Sequence, residues 1–204
     1  MPLHLALLGD SLAHGTGATR ATDALGPRLA TALTAAGVPA ESRVFAVPGA
    51  LSDALARQVT AAVAWRPGVA LVVIGGNDVR GLVPPERAAA ALAQAVRALR
   101  TAGAAVVVVP APDLSVVSHV PPALQDLVRA ASAAMRSAQS AAAAAEGARI
   151  ADPGPRAAAA FASDPGLFSA DRFHPSSAGY ALIAEAVLPV VRAAATDVLS
   201  RRGD

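Results

Sequence analysis

Short runs of β-branched and aliphatic residues alternate with longer alanine-rich runs along most of this 204-residue chain. Leu3–Leu8, Arg43–Val47, Val69–Ile74, Ala104–Val109 and Arg149–Ala151 read as strands. Val69–Ile74 is apolar throughout, and the others come close. Strands that are apolar on both faces belong in a parallel sheet covered by helices on each side. The intervening segments have the composition for that cover. Thr22–Ala36 is helical, with Gly26-Pro27 marking either a kink or the true start. Ser52–Trp65 follows, with Ser52 as its N-cap and Arg66-Pro67-Gly68 as its stop. Pro84 and Pro85 open a helix that runs to about Ala102. Pro122–Glu146 and Ser176–Val198 complete the set, and residues 199–204 are expected to fray. The pattern is β-α repeated five times, which fits one α/β domain over residues 1–204.

Composition removes whole classes of chemistry. Every one of the 17 basic side chains is arginine. Without lysine there is no Schiff base and no P-loop. Without cysteine there is no thiol nucleophile, disulfide or thiolate metal site. Six aromatics and no basic run argue against a nucleic-acid partner. No apolar run reaches the roughly 18 residues of a membrane span. The first residues read as a strand rather than a signal peptide, so a cytoplasmic location is expected. No two histidines are spaced as ligands, so neither a metal nor another cofactor is expected.

In open α/β sheets ligands bind beyond the carboxyl ends of the strands. Four of those ends carry Gly9-Asp10-Ser11, Pro48-Gly49, Gly75-Gly76-Asn77-Asp78 and Pro110-Ala111-Pro112-Asp113. Ser11 reads either as a nucleophile exposed at a strand edge or as a serine that merely opens a helix. A serine nucleophile needs a base. Of the four histidines, His4 lies in the first strand, His14 has no carboxylate spaced to orient it, and His119 sits in a loop. His174 has Asp171 three positions before it. That spacing lets the carboxylate hold one ring nitrogen and leaves the other for a serine proton, although an acid near a helix start is also commonplace. Gly49 and Asn77 offer donors for an oxyanion, or are simply turn residues.

Taken together, Gly9-Asp10-Ser11-Leu12, Gly49, Gly75-Gly76-Asn77-Asp78 and Asp171-x-x-His174 resemble the four blocks of the SGNH, or GDSL-type, hydrolases. The resemblance spans residue 9 to about 190. It implies a flavodoxin-like three-layer α/β/α sandwich with a five-stranded parallel sheet. It implies a Ser11, Asp171 and His174 triad, with the Ser11 and Gly49 N–H groups and the Asn77 amide as the oxyanion hole. The second block departs from the family form: Val47-Pro48-Gly49-Ala50-Leu51 lacks the asparagine two positions before the glycine and the glycine that often follows. A small-molecule acyl ester is the implied substrate. Short to medium acyl chains are expected, because little chain is left for a lid. Val117, His119 and Phe173 are candidate substrate contacts. Transfer of the acyl group to a sugar or other alcohol, thioester or lysophospholipid hydrolysis, and a silent binding module are the alternatives.

Overall fold

The computed structural model describes residues 2–203. Five strands form one parallel sheet: β1 (Leu3–Gly9), β2 (Ala40–Val44), β3 (Val69–Val73), β4 (Ala105–Val109) and β5 (Arg149–Ile150), in the order β2-β1-β3-β4-β5. Eight α-helices accompany them: α1 (Ser11–His14), α2 (Leu25–Ala35), α3 (Leu55–Ala64), α4 (Gly76–Arg80), α5 (Pro85–Thr101), α6 (Gln125–Ala145), α7 (Gly154–Ser163) and α8 (Ser177–Gly203). No helix among the described residues is long and apolar enough to cross a membrane.

The strand alternation explains the three layers. Leu3, Leu5 and Leu7 pack with Leu29 and Leu33 of α2 and with Tyr180, Val187 and Val191 of α8. Ala6 and Leu8 point the other way, toward Leu55 and Val59 of α3 and Leu92, Val96 and Leu99 of α5. Successive residues of a strand face opposite sides. A chain apolar at both sets of positions can therefore bury a helix layer on each face.

The strand order reverses direction between β1 and β3. A crevice opens at such a switch point, outside the carboxyl ends of the two strands. Gly9 ends β1 at that point with φ +129°. A Cβ there would lie 1.7 Å from the Val73 carbonyl oxygen, so only glycine allows β1 and β3 to close up before the chain turns out.

Several boundaries differ from the sequence expectation. β2 begins at Ala40, not Arg43. It is the edge strand, with Glu41 and Arg43 exposed, so its hydrophobic signal is weak where it pairs and stronger just beyond. The N–H groups of Phe45 and Ala46 both reach the Leu7 carbonyl, at 2.8 and 3.2 Å, and end the regular ladder. α2 starts at Leu25, which resolves Gly26-Pro27 as its first turn. Ser52 does not cap α3: its hydroxyl donates to Asp78 at 3.0 Å, and a 3₁₀ turn over Ser52–Ala54 precedes the helix. The stretch 153–173, to which the sequence reading assigns no element, contains α7 and a 3₁₀ turn at Pro165–Leu167. Of the tail expected to fray, residues 199–203 are helical, since nothing between Val198 and Gly203 stops a helix, and Asp204 lies outside the described residues. The Ser200 hydroxyl bonds the Thr196 carbonyl at 3.1 Å within this last stretch.

Candidate active site

Ser11 is the first residue of α1, immediately after the β1 terminus. Asp10, not Ser11, is the N-cap: its carboxylate accepts the Leu12 N–H at 3.0 Å. The Ser11 side chain is thereby left for other partners, and its N–H has no acceptor four residues back in its own helix. Gln58, buried in α3, holds the approach to this turn. It accepts the Gly9 N–H at 2.6 Å and donates to the Gly9 carbonyl at 2.8 Å. From the other face, the buried Tyr180 hydroxyl donates to the Thr16 carbonyl at 2.8 Å just after α1.

His174 arrives from the far end of the chain. Gly17 makes room for it: a Cβ at Gly17 (φ +95°) would lie 2.5 Å from the Pro175 carbonyl and 2.9 Å from His174 Cβ. Ser177 adds a second tie, accepting the Thr19 N–H at 3.0 Å and donating to Asp23 at 2.9 Å. His174 Nε2 then stands 3.0 Å from Ser11 Oγ, and His174 Nδ1 stands 2.6 Å from Asp171 Oδ2. Asp171 and His174 lie in a tight loop rather than a helix. Ser169 N–H bonds the His174 carbonyl at 2.8 Å, and Arg172 turns the chain with φ +56°.

Asp171 is heavily furnished with donors. Its Oδ1 accepts from the Ser169 hydroxyl at 2.8 Å and from the Phe173 and His174 N–H groups at 2.9 Å each. Desolvation alone would raise its pKa, but these bonds and the imidazole outweigh it and hold the carboxyl well below the ordinary range. It is ionised at neutral pH and favours the tautomer with the proton on Nδ1, so Nε2 can accept the Ser11 proton.

Asn77 sits in the first turn of α4, just past the end of β3. Its Nδ2 donates to the Ala50 carbonyl at 3.2 Å and its Oδ1 accepts from Arg80 at 3.4 Å. The amide orientation is thus set, with one N–H left to donate. Asp78 is fully buried and clamps the second block to the third, accepting from Ser52 N–H at 3.1 Å and from the Ser52 hydroxyl. Gly49 stands in an exposed turn with φ +81°, one residue before the Ala50 carbonyl that holds Asn77. It is not among the residues lining the crevice. Those include Asp10, Ser11, Gly76, Asn77 and His174.

Asp10 itself is 5% exposed, close to Asp78 and His174. Burial, with a smaller push from Asp78, raises its pKa to about 6. A wider groove, of about 420 Å³, opens beside His174. Its lining includes Arg80, Leu82, Val117, His119, Val120 and Phe173, so the three candidate substrate contacts surround one space. Arg80 lies over the Phe173 ring at 5.1 Å, and that ring meets His174 edge-on at 4.9 Å. His14 is exposed. His4 stacks on Trp65 at 4.3 Å and pairs with Glu41, a structural role.

Residues 7–182 match the GDSL-like lipase/acylhydrolase family. The chain belongs to that family. Over 201 residues this GDSL-family chain is 37% identical to a GDSL-like esterase of Mycobacterium tuberculosis; 97% of the chain aligns, but with only 64% of that relative's length. The fold is shared with TesA (TM-score 0.78, 23% identity, 94% of this chain and 99% of that one). It is also shared with the psychrotrophic esterase EstA from Pseudoalteromonas sp. (TM-score 0.72, 18% identity, 93% and 96%).

Gln58, Gln139 and Tyr180 escaped the sequence reading. Gln139 does for β3 and β4 what Gln58 does for β1, donating to the Ile74 carbonyl at 3.2 Å and accepting the Ala111 N–H at 2.9 Å. The one sequence signal of the two glutamines is an amide on the apolar stripe of a helix that faces the sheet.

Proposed function

We propose that this chain is a serine esterase that hydrolyses carboxylic esters of short to medium acyl chains through an acyl-enzyme, with residues 1–204 acting as one catalytic domain. The observation that carries the reading is the continuous hydrogen-bonded series Asp171–His174–Ser11 at the sheet's switch point. In this reading His174 Nε2 takes the Ser11 proton as Oγ bonds to the ester carbonyl carbon. The carbonyl electron pair moves onto oxygen, where the Ser11 N–H and the Asn77 amide meet it. The pair returns, the C–O bond to the alcohol breaks, and His174 gives the leaving oxygen its proton. Water, deprotonated by His174, then releases the acid and restores Ser11. Asp171 stays ionised throughout and supports the imidazolium electrostatically.

The Asp171 side chain is 47% exposed and Ser11 is only half-buried, so water has access to the acyl group. A panel of p-nitrophenyl esters from acetate to decanoate, run on wild type and on Ser11→Ala, tests the reading. Turnover by wild type and its loss in the variant are expected. Equal turnover by the two proteins would contradict it.

A further inference from the structure

The crevice at Ser11 adjoins two further spaces. One is the groove beside His174 described above. The other, behind Leu12, is a cavity of about 110 Å³. Leu12, Pro112, Leu114, Phe173 and Pro175 line both this cavity and the crevice, so the two spaces share a wall. α7 forms the cavity's roof through Ala157, Ala158 and Phe161. Phe168 meets Phe161 edge-on at 5.0 Å and closes a further side.

α7 is unusual for this fold in that none of its ten residues is buried. The apolar side of a surface helix normally packs into a core. Here Phe161 alone packs against the main core, while Ala157 and Ala158 border the cavity. The cavity's polar neighbours are already engaged: Arg136 Nε donates to the Ala111 carbonyl at 3.2 Å, Asp113 accepts from Ser115 N–H at 2.9 Å, and Asp152 accepts from Gly154 N–H at 2.8 Å. Apart from the Arg136 Nη groups, the rest of the lining is chiefly hydrocarbon.

We propose that this cavity takes the aliphatic tail of the acyl group, and that the open groove takes the alcohol. The proposal rests on the reading that Ser11 becomes acylated. Direction follows from proton transfer. The leaving oxygen receives its proton from His174 Nε2, so the alcohol lies along the surface that His174 lines, which is the groove. The acyl carbons then leave the carbonyl toward Leu12.

Size limits the chain. An apolar cavity of roughly 150 Å³ accommodates benzene, so this one holds on the order of four carbons. With the carbonyl and the passage past Leu12, the acyl group best served has about six to eight carbons. Ala157 and Ala158 set that limit, because any larger side chain there projects into the tail's space.

The test compares hexanoate with acetate as p-nitrophenyl esters. In wild type the kcat/KM ratio should favour hexanoate, with gains of up to roughly fourfold for each buried methylene. Ala158→Phe should cut that ratio by about tenfold or more. Ala157→Leu, a smaller filling one position away, gives the same readout where the phenylalanine does not fold. A ratio unmoved by either filling, or moved instead by Val120→Phe in the groove, overturns the assignment. A second readout needs no turnover. Octanoate, and not acetate, should raise the Tm of the Ser11→Ala protein, and the Ala158→Phe change should abolish the rise. No rise, or one that survives the filling, overturns the cavity proposal and leaves the chemistry of Ser11 untouched. Failure of wild type to turn over any of the esters would instead overturn the esterase reading.

Discussion

His174 Nε2 lies 3.0 Å from Ser11 Oγ across 163 positions of sequence. Tertiary packing alone makes the contact. α1 is pinned by Gln58 from one layer and Tyr180 from the other, while the His174 loop is pressed against Gly17. Groups held this way act as a unit, so their removal is not additive. Ser11→Ala and His174→Ala should each lower kcat by roughly 10⁴- to 10⁶-fold, and the double variant should be little worse. Asp171→Asn should lose one to two orders of magnitude less. Steady-state kinetics on one p-nitrophenyl ester measures all four.

Asn77 has one amide hydrogen committed to Ala50 and its oxygen turned to Arg80. The remaining hydrogen is the proposed oxyanion donor. Asn77→Ala should raise the barrier by about 3 kcal/mol, a loss of roughly 10²-fold in kcat with KM nearly unchanged. A rise in KM at constant kcat would show ground-state binding instead.

Asp10 makes stability depend on pH in an unusual direction. Its folded-state pKa of about 6 lies above that of an unfolded aspartate, so the folded protein holds the extra proton between pH 4 and 6. Stability should fall as pH rises through that window, by on the order of 3 kcal/mol at most for this group. Asp171 acts oppositely: its depressed pKa contributes stability at neutral pH that disappears as pH falls below the ordinary carboxylate range. Asp10→Asn keeps a good N-cap and removes the first effect. Urea unfolding at pH 4.5 and pH 7.5 should show the variant stabilised at the higher pH, with a flatter profile between the two.

Gln58 satisfies both backbone groups of Gly9 from within the core. Gln58→Leu strands the buried Gly9 N–H, at a cost of about 1–3 kcal/mol, and leaves the Gly9 carbonyl with the Val47 N–H at 3.1 Å as its remaining partner. Denaturant midpoints should fall accordingly. Activity in the protein that remains folded should also drop, because the β1 terminus that aims Ser11 is no longer held.

The motif residues were legible because each block is contiguous, and those around Ser11 and Asn77 sit just past the end of a strand. Ser11, Gly75-Gly76-Asn77 and Asp171-x-x-His174 could be found without knowing how the chain folds back. The same is true of the sheet, since strands such as Val69–Val73 are apolar on both faces. Edge strand β2 was misplaced by three residues because its pairing segment carries Glu41, Ser42 and Arg43 in succession, and the apolar signal peaks after the ladder ends. α7 went unseen because its core-side face lines a cavity, which leaves alanine and proline without a buried stripe to mark the period. Gln58 and Gln139 were illegible for another reason. An amide on an apolar stripe gains its meaning only from the strand end opposite it, and that pairing is tertiary.

The most direct measurement is covalent capture of Ser11. Folded wild type, incubated with an alkyl fluorophosphonate, should gain the mass of one phosphonyl group, and peptide mapping should place it on Ser11. The Ser11→Ala protein should gain none. A folded wild type that remains unmodified, or an adduct mapped to any other residue, would contradict the assignment of Ser11 as the nucleophile.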